Sequence, residues 1–270
     1  MKRPTGLAAL TVLELSPAEQ ISVAAEAGYD FLGLRLIRAT AEEQLYPWHE
    51  ERFVGEIARR LADCGLEALD VEIFRLEPSV DIRKFEPFMS AAARLGAKHM
   101  LVVCSDPDEA RLAESFGKLC DLAAPYDLTG NIEPMPWLDV PNVAKAKRVL
   151  DAAGRANSGV LIDPFHFDRG LSTLDQLKDL PRSRLHYMQL CDAPAERPSG
   201  MEETRLQART ARLFPGEGGL DLRGLLRALP ADLPIGLEIP HAKPMSAAER
   251  ASRALQLTRA LLDSLIPDTG

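Results

Sequence analysis

The sequence predicts an α/β fold, specifically a (β/α)8 barrel of the TIM type, from three observations. The chain has 270 residues, a length that α/β barrels commonly use for a single domain. Eight short apolar runs alternate with amphipathic helical patterns, with a repeat of about 30 residues. No GxGxxG or GxxxxGK[ST] loop follows the first run, whereas a doubly wound open sheet commonly carries one there. We therefore expect one barrel domain over residues 1–270.

The candidate strands are apolar runs bounded by Gly, Pro or polar residues. Short runs of this kind are typical of strands that are buried on both faces of a parallel sheet. In order, they are residues 7–15, 29–37, 66–74, 98–105, 128–134, 158–165, 185–192 and 233–240. Their even spacing is what βα units require.

Several candidate helices end immediately before a glycine. Ser16-Pro17 predicts the start of a helix that runs through Ala27, because serine is a good N-cap and proline fits the first turn. The other helical patterns cover residues 50–64, 81–95, 107–124, 141–153, 172–180 and 246–265. The stretch 193–219 contains PGEGG at 215–219 and is expected to be a long irregular loop, a feature that is often functional.

The charge balance and the lengths of the apolar runs disfavour several classes of protein. Lys and Arg total 32 and Asp and Glu total 40, so the formal net charge is −8. An acidic chain without a basic block is a poor candidate for binding nucleic acid or an anionic membrane. No run approaches the roughly 18 apolar residues of a membrane span, and Glu14 interrupts the only signal-like segment. The four cysteines are scattered, as reduced thiols are, and we expect a cytoplasmic protein.

Polar side chains lie at the ends of the last four candidate strands, where a barrel collects its chemistry. The fifth run ends in Glu133 and the sixth in Asp163. The seventh carries Gln189 and ends in Asp192, and the eighth ends in Glu238. Several carboxylates at one rim are costly unless a positive group compensates them.

A divalent cation is the simplest compensation. Carboxylates and an amide oxygen are hard ligands, which favour Mg²⁺ or Mn²⁺ over Co²⁺ or Zn²⁺. Such an ion would act as a Lewis acid on a carbonyl or hydroxyl group. A single carboxylate at a strand end is more often a helix cap or a salt-bridge partner than a metal ligand, whereas their occurrence on four successive strands leaves both interpretations open.

Further side chains are candidates for binding a substrate. Arg35 and Arg75 end the second and third runs and could reach the barrel mouth, and Arg212 is a third candidate for an anionic substrate. The alternative for each is a surface salt bridge. Trp137 could form an apolar wall or belong to the core. His166, in the sequence LIDPFH, could face the cavity or lie in an ordinary loop.

Taken in order, these motifs resemble the xylose isomerase-like TIM barrels, a group that includes sugar phosphate isomerases and epimerases and family 2 AP endonucleases. The resemblance covers nearly the whole chain, and its specific motifs lie in residues 131–240: a strand-end Glu, D-x-x-H, Q-x-x-D, PGEG and a second strand-end Glu. In that family Glu, Asp, His and Glu hold a divalent metal. The resemblance therefore implies Glu133, Asp163, Gln189 and Glu238 as metal ligands.

One ligand position departs from the family pattern. Gln189 stands where many epimerases have histidine, and its context MQLCDAP is similar to that of bacterial 3-dehydroshikimate dehydratases. Arg212 also falls at a matching place, and His166 matches a histidine that lies beside the substrate. The endonucleases carry a three-metal cluster with many histidines, whereas this chain has five, which argues against a role in DNA repair.

The resemblance implies a metal-dependent sugar isomerase or epimerase. Glu133 and Glu238 would be its acid and base: one would remove a proton next to the metal-bound carbonyl to give an enediolate, and the other would return a proton. A first alternative is a lyase similar to 3-dehydroshikimate dehydratase, in which a β-hydroxyl is then lost with His166 as the acid. A second is a non-catalytic sugar-binding barrel. The substrate would be a carbohydrate or a hydroxylated cyclic keto acid, and a homo-oligomer is possible by analogy with the family.

Overall fold

Eight parallel strands alternate with helices in the structure, a computed structural model that describes residues 3–265. The strands are β1 (Thr5–Leu7), β2 (Phe31–Arg35), β3 (Glu67–Leu76), β4 (His99–Cys104), β5 (Thr129–Ile132), β6 (Ser158–Val160), β7 (Met188–Leu190) and β8 (Ile235–Leu237). The helices are α1 (Pro17–Ala27), α2 (Glu51–Cys64), α3 (Glu86–Arg94), α4 (Glu109–Ala123), α5 (Val143–Ala153), α6 (Pro164–Arg169), α7 (Leu174–Lys178), α8 (Met201–Thr210), α9 (Leu222–Ala228) and α10 (Ala247–Asp263). Every strand is followed by at least one helix, as βα units predict.

The sheet curls into a barrel. Its strand order is β6-β5-β4-β3-β2-β1-β8-β7, and all the pairs are parallel. A parallel bridge between Ile162 and Met188 joins the two outer strands, and the Gln189 amide donates to the Ile162 carbonyl at 2.9 Å. The predicted TIM barrel is therefore confirmed. The prediction of one domain also covers residues 1, 2 and 266–270, which lie outside the described part of the chain.

The helix starts follow their capping residues. Ser16 caps α1 in a capping box with Glu19, and the helix ends at Gly28 with φ 84°, a conformation that glycine adopts without strain. Ser246 and Glu249 form the same motif at the start of α10. The sequence prediction for α1, from Pro17 to Ala27, is confirmed residue for residue.

The first strand prediction was wrong in position. Residues 7–15 were expected to form a strand, but β1 covers Thr5–Leu7 and Ala9–Val12 form a 3-10 turn. Thr11 explains the turn, because its hydroxyl donates to the Leu237 carbonyl at 2.7 Å and accepts from a backbone amide just beyond β8. This segment therefore crosses the end of β8 instead of running beside it.

The irregular loop expected at 193–219 contains helix α8. Its sequence, MEETRLQART, buries only Thr204 and Ala208, so it lacks the apolar stripe by which a helix is recognised. Helix α9 was also missed, as was the short helix α6. The predicted helix 81–95 is divided into a 3-10 turn at Ile82–Phe85 and α3.

The main apolar core lies between the sheet and the helices. A second, smaller cluster inside the barrel is formed by Leu101, Val103, Leu161 and Tyr187. Above it the interior becomes polar at the carboxyl ends of the strands. Within residues 3–265, no helix is long and apolar enough to cross a membrane.

Candidate active site

Four buried polar side chains come from the carboxyl ends of adjacent strands. Glu133 follows β5, Asp163 lies just after β6, Gln189 is in β7 and Glu238 follows β8, and each is at most 3% exposed. The Glu133 amide donates to Val102 in β4 at 2.9 Å, so the barrel itself fixes that side chain. The sequence prediction that these positions meet at one rim agrees with this placement.

Arg212 lies among these groups. Its Nη1 is 2.5 Å from Oδ2 of Asp163, and its Nη2 is 3.0 Å from Oε2 of Glu238. Its Nε donates to the Ala208 carbonyl in α8 at 2.8 Å, and the residue is 1% exposed. Burial by itself would raise the pKa of Asp163, but the Arg212 guanidinium holds it below its usual range. Arg212 therefore keeps Asp163 ionised.

His166 lies between Arg212 and Glu133. Its Nε2 is 3.7 Å from Oε1 of Glu133 and 3.3 Å from Nη2 of Arg212. The Trp137 ring meets the imidazole edge-on, with 5.1 Å between the centroids. Burial lowers the pKa of His166 to about 3, so the ring is neutral at physiological pH.

The donor set fits a divalent cation. Glu133, Asp163 and His166 each offer a ligand atom, and these atoms lie within 4.8 Å of one another. Three buried atoms of this cluster have no hydrogen-bond partner within the described residues 3–265: Glu133 Oε1, His166 Nδ1 and Gln189 Oε1. Gln189 Nε2 donates to Glu238 Oε1 at 3.0 Å, which leaves the amide oxygen free to bind an ion. Unpaired buried acceptors are costly, and a cation would satisfy them.

The buried charges point the same way. The carboxylates Glu133, Asp163 and Glu238 are buried together, with Arg212 as the neighbouring guanidinium group. Burial and the neighbouring Glu238 raise the pKa of Glu133, and burial raises the pKa of Glu238 to about 7. A divalent cation bound here would stabilise the ionised forms of these carboxylates.

A cavity of about 360 Å³ opens onto this cluster. Seven of the residues predicted from the sequence line it: Arg35, Arg75, Glu133, Trp137, His166, Arg212 and Glu238. The other two, Asp163 and Gln189, are buried beside it, in contact with Arg212 and Glu238 respectively. An apolar wall from Ile73 and Leu138 completes the cavity.

Sequence reasoning missed a second polar layer. Glu72 Oε2 accepts from Arg35 Nη2 at 2.9 Å, and Asp70 accepts from the Tyr187 hydroxyl at 3.0 Å. Burial and the neighbouring Glu72 raise the pKa of Asp70 to about 8. A signal was present, because Asp70 and Glu72 alternate in ALDVEIF and so share the inner face of β3.

Arg205 and Arg209 of α8 also line the cavity and were missed. They lie in the stretch that was expected to be a loop, so their four-residue spacing could not be interpreted as one face of a helix. Glu43 is a further lining residue without a clear sequence signal, and its carboxylate lies 3.6 Å from Arg35.

One expectation around β7 was wrong. Asp192 does not face the cavity: it accepts backbone N–H bonds from Ala193, Gly216, Gly218 and Leu220 and so anchors the PGEGG loop. The preceding residue, Cys191, lies closer to the site, with its Sγ 3.4 Å from Nη1 of Arg212. The error arises because β7 ends at Leu190, so strand alternation does not continue beyond it.

Comparison with known proteins supports the barrel fold. The chain matches the family described as xylose isomerase-like TIM barrel over residues 21–261. The 3-dehydroshikimate dehydratase of Pseudomonas aeruginosa is 28% identical over 261 residues, which cover 90% of this chain and 39% of that protein. The inosose isomerase of Bacillus velezensis is 24% identical over 237 residues, 81% of each protein.

A crystal structure of the IOLI protein with a bound zinc atom shares the fold. Its TM-score is 0.83 at 20% identity, over 98% of this chain and 99% of that one. The two sequence relatives are named for an isomerase and a dehydratase, both of which are enzymes. The chain spans less than half the length of the dehydratase and most of the length of the isomerase.

Proposed function

We propose a function for this chain from the premise that it belongs to the xylose isomerase-like TIM barrel family. It is a divalent-metal-dependent isomerase or epimerase that removes a proton from the carbon next to the carbonyl of a hydroxylated ketone. The observation that carries this proposal is that Glu133 and Glu238 both line a cavity, beside a donor set that fits a divalent cation.

The metal ligands in this proposal are Glu133, Asp163, Gln189 and Glu238, with His166 close enough to be a further donor. A divalent cation held there supplies Lewis acidity, which polarises the substrate carbonyl and makes the neighbouring C–H bond more acidic. Mg²⁺ or Mn²⁺ suits the oxygen-rich set, while Co²⁺ and Zn²⁺ also accept it. The IOLI protein, which shares the fold, binds a zinc atom, and this supports metal binding by the present chain.

Proton transfer is the task of the two glutamates. One takes a proton from the substrate carbon, and the other returns a proton to the opposite face or to the neighbouring carbon. Burial raises both of their pKa values, and a carboxylate tuned upward exchanges protons effectively near neutral pH. Each glutamate serves as both ligand and acid or base.

Arg212 and His166 stabilise charge and position the substrate. The Arg212 guanidinium lies beside the carboxylates where negative charge develops on a substrate oxygen, and a fixed positive charge there lowers the barrier. His166 is neutral and buried, so its role is to hydrogen-bond a substrate hydroxyl. The Trp137 ring holds the imidazole in place.

The test is deuterium exchange into ketones from heavy water, with metal-loaded protein and a panel of ketoses, inososes and 3-dehydroshikimate. Glu133→Gln and Glu238→Gln are expected to lower exchange by about 10²–10⁴-fold, the usual contribution of an acid or base. Glu56→Gln, on the exposed surface of α2, is the matched control and leaves exchange unchanged. Metal content is measured in every variant, so that loss of the ion is separated from loss of the base. Exchange at wild-type rate in both metal-loaded variants would contradict the proposal.

A lyase similar to 3-dehydroshikimate dehydratase is the second candidate. Gln189 at the third ligand position favours it, as does the match to the Pseudomonas aeruginosa enzyme. The same proton abstraction would be followed by loss of the β-hydroxyl as water. Ultraviolet absorbance of protocatechuate formed from 3-dehydroshikimate distinguishes it from an isomerase. A non-catalytic sugar-binding barrel is less well supported, because both candidate acid–base residues face the cavity.

The expectations about partners and location belong to the same proposal. The partner is a small carbohydrate or a hydroxylated cyclic keto acid, with no nucleic acid and no membrane. We expect the protein to act in the cytoplasm, and analogy with the family suggests a homo-oligomer.

A further inference from the structure

The large apolar side chains that remain exposed are confined to one face of the barrel. Within residues 3–265 they are 48–65% exposed and comprise Leu45, Leu171, Met201 and Leu206. They belong to segments that follow the carboxyl ends of β2, β6 and β7. Each of these segments also supplies a residue that lines the cavity, namely Glu43, His166 and Arg205. The exposed apolar surface is therefore concentrated around the cavity mouth, and such a concentration marks an interaction site.

Helix α8 contributes two of these side chains, and its outward face carries an ordered pattern of charge. Leu206 and Arg209 follow Glu202 by four and seven residues, so the three form one stripe along the helix, and all of them are exposed. The buried positions of α8, Thr204 and Ala208, lie on the opposite side. The stripe therefore faces away from the core of the barrel, and it is acidic, apolar and basic in order from its amino end.

This stripe is complementary to itself. Two copies of α8 that pack antiparallel bring Glu202 of each copy opposite Arg209 of the other, with the two Leu206 side chains together at the centre. A two-fold axis makes both ion pairs from the same pattern, as in an isologous dimer. A parallel arrangement would place like charges opposite one another, which is unfavourable. Within the described residues 3–265 neither Glu202 nor Arg209 forms an ion pair, so both groups are available to a partner.

We propose that a second copy of the chain covers this face, through antiparallel pairing of α8 across a two-fold axis. One pair of short helices buries less than the roughly 800 Å² per partner of a stable interface, and the exposed Leu45, Leu171 and Met201 on the same face extend the contact. The Ala208 carbonyl of α8 accepts from Arg212 Nε at 2.8 Å, so a partner on the outer side of α8 also supports the helix that holds Arg212 in the candidate active site.

Sedimentation velocity tests the pairing without substrate or metal. The full-length wild type is expected to approach twice the mass of one chain as its concentration rises. Glu202→Arg and Arg209→Glu each replace two ion pairs by two contacts between like charges, so each variant alone should dimerise at least about tenfold more weakly. Leu206→Asp places two carboxylates at the centre and should have the same effect. Glu114→Arg, at an exposed position of α4, is the matched control and leaves association unchanged.

An equimolar mixture of the two charge-reversed variants is the decisive measurement. In the mixed dimer one copy carries arginine at both positions of the stripe and the other carries glutamate at both, so both ion pairs are restored. The mixture is therefore expected to dimerise within about threefold of the wild-type affinity, although neither component does so alone. Circular dichroism of each variant checks that the fold is retained.

Three results would each overturn the α8 interface: a wild type that stays monomeric at every concentration, a dimer that both charge reversals leave unaffected, or a mixture no more associated than its components. A wild-type assembly larger than a dimer would overturn the two-fold arrangement. These measurements involve no ketone and no metal. Failure of the interface therefore leaves the proposed reaction standing, and failure of deuterium exchange leaves the interface standing.

Discussion

Replacing Asp192 with asparagine is expected to destabilise the barrel strongly, although the side chains have nearly the same shape. The buried carboxylate accepts four backbone N–H bonds, at 2.8 Å from Ala193, 3.0 Å from Gly216, 3.0 Å from Gly218 and 3.1 Å from Leu220. An amide has one oxygen, and its NH₂ group would face donors. Two of the four bonds are therefore lost, each worth about 1.5–3 kcal/mol when the acceptor is charged, so the free energy of unfolding falls by about 3–6 kcal/mol.

Urea denaturation followed by circular dichroism measures this change. Asp221→Asn is the matched control: Asp221 is an exposed N-cap that accepts from Gly224, and asparagine caps helices equally well, so its effect stays below about 0.5 kcal/mol. The slope m of the unfolding free energy against urea concentration is compared between variants, since a changed m means that the compactness of a state has changed or that unfolding is no longer two-state. A change for Asp192→Asn as small as that of Asp221→Asn would refute the account of the loop anchor.

Two further predictions concern the metal and pH. Mn²⁺ at about 100 times its dissociation constant is expected to raise the free energy of unfolding of the wild type by about 2.7 kcal/mol and that of Asp163→Asn by much less; equal thermal shifts in the two proteins would contradict the site. His99 is half-buried and stacks on His186 and Tyr187, and its partial burial lowers its pKa from 6.5 to about 3. As pH falls from 6.5 toward 3, the unfolded chain protonates His99 whereas the folded chain does not, so His99 contributes a loss of stability of up to about 1.4 kcal/mol per pH unit. His99→Gln should reduce the overall dependence of stability on pH by that amount. An unaltered dependence, measured by urea titration at about pH 6, 5 and 4, would disprove the burial effect.

The barrel could be predicted from the sequence because its strands are buried on both faces. Such strands are continuous apolar runs, and seven of the eight predicted runs overlap the observed strands closely. The first run failed because its apolar residues, Ala9 and Val12, are buried by a 3-10 turn that Thr11 fixes across β8. A buried strand and a buried 3-10 turn both give a run of apolar residues in the sequence. The hydrogen bond that decides between them joins residues more than 200 positions apart, so the local sequence does not show it.

The site could be predicted wherever a polar residue ended a strand. Glu133, Asp163 and Glu238 met this condition, and the barrel geometry brought them together. Arg205 and Arg209 did not, because α8 has too few apolar positions to be recognised as a helix. The second layer of Asp70 and Glu72 was overlooked because these residues lie inside a strand, where the apolar run itself was the signal.

Neighbouring strands of the barrel pair over unequal lengths. β3 and β4 pair along much of their length, whereas β6 and β7 meet through the bridge of Ile162 with Met188 and the adjoining amide bond of Gln189. Local opening of a folded protein begins where the fewest bonds must break. Gln189 belongs to this junction and Asp163 follows Ile162 directly, so an ion held by both residues would strengthen the most weakly paired part of the barrel. Loss of the ion is then expected to make local opening between β6 and β7 easier.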